Sequence, residues 1–182
     1  MILFEKLSKL MDRHTHPGKV LDLWAWEWRY SIFCASYGDK VTAVDNESKK
    51  NWLWPNYLLN HPNINFIKWD IRELPYDILD NVYNVIIIFN VITFLDKGKF
   101  INHRLPKYVD LLDSEWVLCL SFFFPDDETM SKNKLLSFYS FEDFYWNTNY
   151  TITNKDEFFI EENHEPVGLH THHIWYLEIK KN

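Results

Sequence analysis

The chain has 182 residues, of which 47% are hydrophobic, and it carries a formal net charge of −7. Its length fits a single domain over residues 1–182, and its hydrophobic content excludes a disordered chain. The acidic balance and the lack of a basic patch argue against a nucleic-acid partner, and leave small molecules or a basic protein as the expected partners.

The sequence also argues against a membrane or secretory protein. The longest apolar run, Val85 to Phe89, is too short to cross a bilayer, and charge follows Met1 to Phe4 within two residues. Cys34 and Cys119 lie in separate apolar stretches, which favours buried, reduced thiols. We therefore predict a cytoplasmic protein with no membrane partner, and its oligomeric state stays open.

Helical and strand patterns alternate through most of the chain. Apolar spacing predicts an amphipathic helix over residues 3–14, and further helices are predicted at 28–37, 98–112 and 139–146. Residues 47–60 fit either helix or turn. Short apolar runs predict five buried strands, at 19–23, 41–45, 64–68, 85–89 and 117–123. Strands that alternate with helices indicate a parallel sheet with crossover connections.

The end of the chain departs from this alternation. Residues 157–161 and 172–180 are predicted as two strands joined by a loop over 162–171, with no helix between them. Such a pair indicates an antiparallel addition to the sheet. The predicted fold is α/β, with a doubly wound, Rossmann-like sheet of seven strands. Residues 1–18 lead into it, 19–124 form its first part, and 125–182 close it.

Three tryptophans occupy the turn after the first predicted strand, at positions 24, 26 and 28. In an open α/β sheet this turn faces the ligand, and glycine there permits positive φ and close approach of the backbone. The chain has 4 Gly and 9 Trp, which together match the roughly 13 glycines expected at average usage. Trp175, inside an apolar run, fits a genuine tryptophan. Glycine is also the expected residue at Trp52, Trp54, Trp69 and Trp116.

Two explanations of this pattern stay open. In the first, the gene is translated with UGA as glycine, so that tryptophan is written where the protein has glycine; in the second, the chain is genuinely rich in tryptophan. The coding DNA separates them, because UGG codons at positions 24, 26 and 28 would exclude the first.

With glycine at those three positions, the segment from Asp22 to Tyr30 becomes D-L-G-A-G-E-G-R-Y. This resembles the first motif of class I S-adenosylmethionine (SAM) methyltransferases. Its G-x-G-x-G spacing differs from the G-x-G-x-x-G of dinucleotide binders, whose third glycine would fall at Arg29. The segment His164-Glu165-Pro166-Val167-Gly168-Leu169-His170-Thr171-His172 resembles the H-x-P-x-G-x-H-x-H tail of the tellurite-resistance methyltransferases.

The resemblance covers roughly residues 10–180. It implies a class I methyltransferase fold and SAM-dependent methyl transfer to a small molecule, such as a metalloid oxyanion or a thiol. The tryptophans are the departures from the family pattern. If Trp24, Trp26 and Trp28 are genuine, their indoles fill the cofactor turn. We then expect no ordinary SAM binding and a non-catalytic interaction protein on a methyltransferase scaffold.

Polar residues follow four of the predicted strands, where a SAM site would lie. An acid such as Asp45 at the end of the second strand can accept hydrogen bonds from both ribose hydroxyls. By resemblance, Asp70 takes the adenine amino group, Ile71 packs on the ring, and Asn90 precedes the backbone that holds the methionine part. Each also fits a simple cap or turn residue. The predicted cofactor-binding residues are Asp22, Trp24, Ala25, Trp26, Trp28, Asp45, Asn46, Asp70, Ile71, Asn90 and Val91.

Histidine and arginine supply the predicted catalytic residues. His164 and His172 could orient an anionic substrate or remove a proton near neutral pH, and Arg29 could hold an anion. The histidines His164, His170, His172 and His173 are also possible metal ligands. Only 170 and 172 would share a strand face, and no cysteine or carboxylate framework accompanies them. We therefore predict no metal, and the simplest alternative is a polar loop with partly exposed histidines.

Overall fold

The computed structural model describes residues 2–13, 18–25, 28–46, 61–127, 129–132, 135–164 and 168–182. The predictions for Trp26, Trp52, Trp54 and the rest of segment 47–60 lie outside these residues. No side-chain position is described for His164. Within the described part of the chain, no helix is both long enough and apolar enough to span a bilayer.

Seven strands form one sheet in the order β3-β2-β1-β4-β5-β7-β6. Parallel pairing joins β1 to β2 and β4, and β2 to β3, whereas β7 is antiparallel to both β5 and β6. This confirms the predicted α/β class and the antiparallel last strand. The strands are β1 Lys19–Leu23, β2 Lys40–Asp45, β3 Ile64–Lys68, β4 Tyr83–Phe89, β5 Leu112–Phe123, β6 Tyr150–His164 and β7 Gly168–Lys181.

The α-helices are α1 Ile2–Met11, α2 Arg29–Ser36, α3 Tyr76–Leu79, α4 Lys97–Lys99 and α5 Leu105–Asp110. A π-helical turn at Phe100–Arg104 joins α4 to α5, so the helix predicted at 98–112 exists with an altered middle. The helix predicted at 139–146 is a 3-10 turn, Phe141–Phe144. The described chain divides into two compact units, Met1–Ile87 and Ile88–Asn182.

The first unit contains β1, β2, β3 and most of β4. Residues Leu3, Leu7, Leu10 and Met11 are buried on one face of α1, as the apolar spacing predicts. Gly18 lies just before β1, where a Cβ would meet Asn84 Oδ1 at 2.8 Å. The same oxygen accepts a hydrogen bond from the Lys19 amide at 2.7 Å. Glycine is needed here because the backbone and the Asn84 side chain approach closely.

The second unit contains β5, β6 and β7. Strand β5 begins five residues before its predicted start at Val117, because the backbone stays extended through the exposed stretch Asp113 to Glu115 back to buried Leu112. Trp116, predicted in a turn, therefore lies within a strand. Cys119 in this strand and Cys34 in α2 are buried and form no disulfide, as predicted. Burial raises the pKa of the Cys119 thiol to about 12.

Strands β6 and β7 form a long hairpin, paired from Tyr150↔Lys181 to His164↔Gly168. The predicted loop over 162–171 is therefore wrong for residues 162–164 and 168–171, which belong to the ladder. Their side chains are mostly polar, but a strand needs only alternate residues to face the interior. His170 and His172 alternate in this way, and both are buried.

Candidate functional site at the strand ends

The turn after β1 has the backbone conformation that glycine adopts without strain. Trp24 has φ 78° and Trp28 has φ 54°. Among the described residues, positive φ is otherwise found at Asn90, Gly38 and Gly168. A left-handed conformation costs a residue with a Cβ roughly 1–2 kcal/mol. Two of the predicted glycine positions thus coincide with the conformation that favours glycine.

Hydrogen bonds to β2 and within the turn hold this conformation. The amides of Trp24 and Ala25 both donate to the Val44 carbonyl, at 2.9 and 3.1 Å, and the Trp28 amide donates to the Ala25 carbonyl at 2.7 Å. Trp28 is the N-cap of α2 but makes no capping side-chain bond. Its indole is buried and stacks on Phe66 with ring centroids 4.8 Å apart. The backbone therefore suits a ligand-binding turn, while the Trp28 side chain fills space beside β3.

Two buried carboxylates end the neighbouring strands β1 and β2. Asp22 and Asp45 are 2% and 1% exposed. The pKa of Asp22 is raised to about 7, mainly by burial and also by the negative charge of Asp45, while hydrogen bonds from Ser31 act to lower it. The Ser31 hydroxyl donates to Asp22 Oδ2 at 2.5 Å. A positively charged group placed beside this pair would stabilise the ionised form of Asp22.

The predicted residues after β3 differ from this buried pair. Asp70 is partly exposed and binds the Arg72 guanidinium through both carboxylate oxygens, with Nε at 2.9 and 2.8 Å. Ile71 is buried, 4% exposed, whereas Asn46 after β2 is exposed. Trp69, at the end of β3, is 46% exposed and its indole N–H donates to the Glu73 carbonyl. The adenine contacts expected of Asp70 and Ile71 stay predictions.

Asn90 turns the chain at the end of β4. Its φ is 56°, and its amide donates to the Ser121 carbonyl and hydroxyl at 3.0 and 3.1 Å. The Ser121 hydroxyl in turn donates to Asn90 Oδ1 at 2.8 Å. Val91 is fully buried. Asparagine is the residue type, after glycine, that best tolerates this conformation, so Asn90 fixes the direction of the chain leaving β4.

The hairpin places His172 in a buried polar cluster of the second unit. His172 Nδ1 donates to Asp127 Oδ2 at 2.9 Å, and its Nε2 lies 3.1 Å from Nε2 of His170. His170 and His172 are 5% and 7% exposed, which corrects the alternative of a polar loop with exposed histidines. Arg29 is exposed at the first residue of α2, in the first unit. The predicted role of the His164 side chain lies outside the described part of the structure.

Asp127, which lies beyond the end of β5 at Phe123, was not among the predicted site residues. Its Oδ1 accepts hydrogen bonds from the Thr129 amide and hydroxyl and from the Met130 amide, at 3.0, 2.8 and 2.9 Å. Burial acts to raise the pKa of Asp127, but the bonds from His172, Met130 and Thr129 outweigh it and lower the pKa. No local sequence pattern marks Asp127, because its contacts with His172 and His173 join residues far apart along the chain.

A cavity of about 460 Å³ lies elsewhere in the first unit. It opens at the amino ends of the strands, beside Lys19, Lys40 and Ile64. Open α/β sheets bind their ligands at the carboxyl ends of the strands, so we do not assign the cofactor to this cavity.

Solved structures with the same fold include several methyltransferases. TehB from Haemophilus influenzae superposes with a TM-score of 0.67 at 17% identity, over 100% of this chain and 62% of that protein. A second structure is the 1,6-didemethyltoxoflavin-N1-methyltransferase of Burkholderia thailandensis with bound 1,6-didemethyltoxoflavin and S-adenosylhomocysteine. It superposes with a TM-score of 0.70 at 17% identity, over 98% of this chain and 78% of that protein. Magnesium protoporphyrin IX methyltransferase of Synechocystis PCC 6803, with bound SAM, superposes with a TM-score of 0.68 at 15% identity, over 99% of this chain and 78% of that protein.

At these identities the superpositions establish the fold, a class I methyltransferase fold. This chain spans about 62% of the length of the Haemophilus protein. No curated protein sequence matches it. The family model of the tellurite resistance protein TehB matches residues 8–109, which is more than half of the chain and includes β1 to β4 with the turn at positions 24 to 28. The chain therefore belongs to the TehB family.

Proposed function

We propose that this protein is a SAM-dependent methyltransferase that acts on a small molecule. The observation that carries the proposal is the buried pair of Asp22 and Asp45 at the carboxyl ends of β1 and β2, in a chain of the TehB family. SAM carries an ammonium group and a ribose diol, which are the groups that such carboxylates bind. The Burkholderia and Synechocystis structures contain S-adenosylhomocysteine and SAM, respectively.

The residues present fit the cofactor in two respects. Buried Asp22, with its raised pKa, suits an ammonium partner, and Asp45 suits the ribose hydroxyls. The positive φ at positions 24 and 28 suits a turn that approaches a ligand with its backbone. The groups that do not fit the cofactor are the indole side chains of the tryptophans in this turn. We therefore propose that the active form carries glycine at 24, 26 and 28, as expected if UGA is translated as glycine.

When bound, SAM supplies an electrophilic methyl group on a sulfonium that is already a good leaving group. The protein then contributes mainly orientation and proximity of the two reactants. Asp22 and Asp45 would fix the cofactor, with Asp70 and Ile71 at its adenine and the backbone at Asn90 and Val91 at its amino-acid part.

His172 is the proposed residue on the acceptor side. Because Asp127 fixes its Nδ1–H, its Nε2 presents a lone pair, as needed to take a proton from an acceptor or to hold its hydroxyl. His164 and Arg29 keep their proposed roles in binding an anion. The family description, a tellurite resistance protein, supports a metalloid oxyanion as the acceptor, and a thiol is the alternative acceptor that we propose. Two buried, reduced cysteines are consistent with the cytoplasmic location that we propose.

SAM binding tests this proposal directly. We would titrate SAM by calorimetry into the chain as printed and into its Trp24→Gly/Trp26→Gly/Trp28→Gly variant, with Trp146→Gly, an exposed position, as the control. We expect micromolar affinity in the triple variant alone. Labelled methyl transfer to tellurite, selenite and small thiols would then identify the acceptor class.

The other outcomes are equally informative. Micromolar binding by the printed chain would show that the indoles leave the cofactor cleft open. If neither form binds, the alternative of a non-catalytic interaction protein gains support; the stacking of buried Trp28 on Phe66 is the observation that favours it.

A further inference from the structure

We propose that Glu162, His170 and His172 form a binding site for a divalent transition-metal ion, with Asp127 as a positioning residue behind His172. The sequence alone predicted no metal. The site lies wholly within the second unit, and the proposal does not depend on methyl transfer or on the residues at positions 24, 26 and 28.

The hairpin register brings the three ligands together. His170 and His172 are two residues apart on β7, so they share one face of the strand. Glu162 on β6 is the direct cross-strand partner of His170. One ligand atom from each residue lies within 4.8 Å of the other two. The group therefore arises from adjacent, regularly paired strands.

The hydrogen bonds fix the tautomers of both histidines. His170 Nδ1 lies 2.7 Å from the Gly168 carbonyl oxygen, which can only accept, so this nitrogen must carry a proton. His172 Nδ1 must donate in the same way to the Asp127 carboxylate. In the neutral imidazoles both Nε2 atoms are then lone-pair acceptors, yet they face each other at 3.1 Å. Such a pair requires a shared cation, which is either a proton on one ring or a metal ion.

The spacing suits a metal ion. With metal–nitrogen bonds of about 2.0–2.1 Å, two imidazoles bound at angles of about 90–110° place their nitrogens about 2.9–3.4 Å apart. The observed 3.1 Å falls inside this interval. Glu162 Oε2 is 3.8 Å from His172 Nε2, and its side chain is 46% exposed, so it has room to turn toward the ion.

Asp127 completes a pattern that is typical of metal-binding histidines. A ligating histidine usually donates its other N–H to a carboxylate or a backbone carbonyl, which fixes the ring and raises its basicity. His172 donates to Asp127 and His170 to Gly168, so the pattern occurs at both rings. The Thr129 and Met130 amides hold the Asp127 carboxylate in place.

Two imidazoles and one carboxylate favour zinc and its first-row neighbours over magnesium or calcium. Three protein ligands leave at least one coordination position for a water or an anion, as in catalytic rather than structural zinc sites. Within β7, His172 and His170 lie beyond Ile174, which pairs with the last residue of β5. The proposed ion is thus at the edge of the sheet where strand β5 ends. With a metal bound, His172 acts as a ligand and not as a base.

Zinc titration of the metal-free protein tests the proposal. We expect one Zn²⁺ per chain with micromolar or tighter affinity in the printed chain. His170→Gln and Glu162→Gln should each weaken binding by at least tenfold, whereas His103→Gln, an exposed histidine on the π-helical turn, should leave it unchanged. Co²⁺ should give the intense visible bands of a low-coordinate nitrogen and oxygen site.

Asp127→Asn tests the positioning role. We expect zinc affinity to fall about 10–100-fold with the fold retained, and the ¹⁵N shifts of His172 to show a changed tautomer balance. The proposal is wrong if the metal-free protein binds no zinc while the ¹⁵N spectrum shows one imidazolium at neutral pH, because a proton then joins the pair. It is equally wrong if His103→Gln reduces binding as much as His170→Gln does.

Discussion

Asp22 and Asp127 are both almost completely buried, yet burial has opposite outcomes at the two sites. The pKa of Asp22 rises to about 7, while that of Asp127 falls below its ordinary value. Asp22 accepts a hydrogen bond from Ser31 and is repelled by the charge of Asp45. Asp127 accepts hydrogen bonds from the amide and hydroxyl of Thr129, the amide of Met130, the ring of His172 and the amide of His173. The hydrogen-bond donors around a buried carboxylate, rather than the extent of its burial, decide whether it stays ionised.

The difference separates two roles. The hydrogen-bonding capacity of the Asp127 carboxylate is filled by groups of this protein, so Asp127 can hold His172 rigidly. Asp22 has a raised pKa, so a cation supplied by a ligand would stabilise its ionised form. Four predictions test this contrast, from the largest expected effect to the smallest.

Replacing Asp127 with alanine should destabilise the protein most. It leaves several buried donors unsatisfied, and we expect the free energy of unfolding to fall by about 3–5 kcal/mol. Urea unfolding at pH 7 measures this, with Asp126→Ala as a control at the neighbouring exposed carboxylate, whose side chain is 69% exposed. A loss of less than about 1 kcal/mol would show that these hydrogen bonds contribute little.

Asp22→Asn should stabilise the protein at alkaline pH. Because the pKa of Asp22 is about 7 in the folded state and ordinarily 3.8, the folded protein binds the extra proton between these values. The contribution of Asp22 to stability therefore falls as pH rises from about 4 to 7, by up to ~4 kcal/mol. The free energy of unfolding of the variant should not fall in this way, and at pH 8 it should exceed that of the parent.

The Asp22 prediction is checked by urea unfolding at pH 5 and pH 8 for both proteins. Asp127 should have the opposite effect on stability. Because its pKa is lowered, its contribution to stability is present above about pH 4 and is lost as pH falls below that value. Identical pH profiles for the parent and Asp22→Asn would contradict the raised pKa of Asp22.

In the glycine variant, Asp22→Asn should weaken SAM binding by about 10–100-fold, since it removes a charge-assisted contact of about 1.5–3 kcal/mol. Affinity in the parent glycine variant should increase as pH rises through 7 and Asp22 ionises. Calorimetric titration at pH 6 and pH 8 measures both effects. Asp77→Asn, a distant exposed carboxylate, is the control.

The smallest effect is expected at the turn itself. Trp24→Gly relieves a left-handed φ of 78° and should stabilise the chain by about 1 kcal/mol. Trp28→Gly relieves similar strain but removes a buried indole stacked on Phe66, so its gain should be smaller or reversed. Thermal unfolding of the two single variants compares them; a larger gain at position 28 would contradict the packing argument.

The sequence predicted the parallel part of the sheet well because its strands are short and apolar, and β1, β2 and β4 are mostly buried. Strands β1 and β3 have the predicted bounds, and β2 and β4 begin one and two residues earlier. It predicted the hairpin poorly. Residues 162–164 and 168–171 are mostly polar, so composition suggested a loop, although cross-strand pairing continues through them.

The candidate site divides in the same way. Asp22, Asp45 and Asn90 could be placed from the sequence because each lies at the carboxyl end of a clear strand. Asp127 could not, since its importance arises from a contact with His172 that spans 45 residues. The metal ligands were discounted because a carboxylate partner was not visible in the sequence. Glu162 meets His170 only through the register of β6 and β7.

That hairpin also has a kinetic consequence. Its two strands are joined by residues 165–167, so the pairing of Glu162 with His170 closes a very short segment of chain. By contrast, Val20 of β1 must find its partner Val85 of β4 across more than sixty intervening residues. Loop-closure entropy and contact order both favour the local pairing, so the hairpin should form early during folding. The proposed ligands would then meet before the long-range strands of the sheet have assembled.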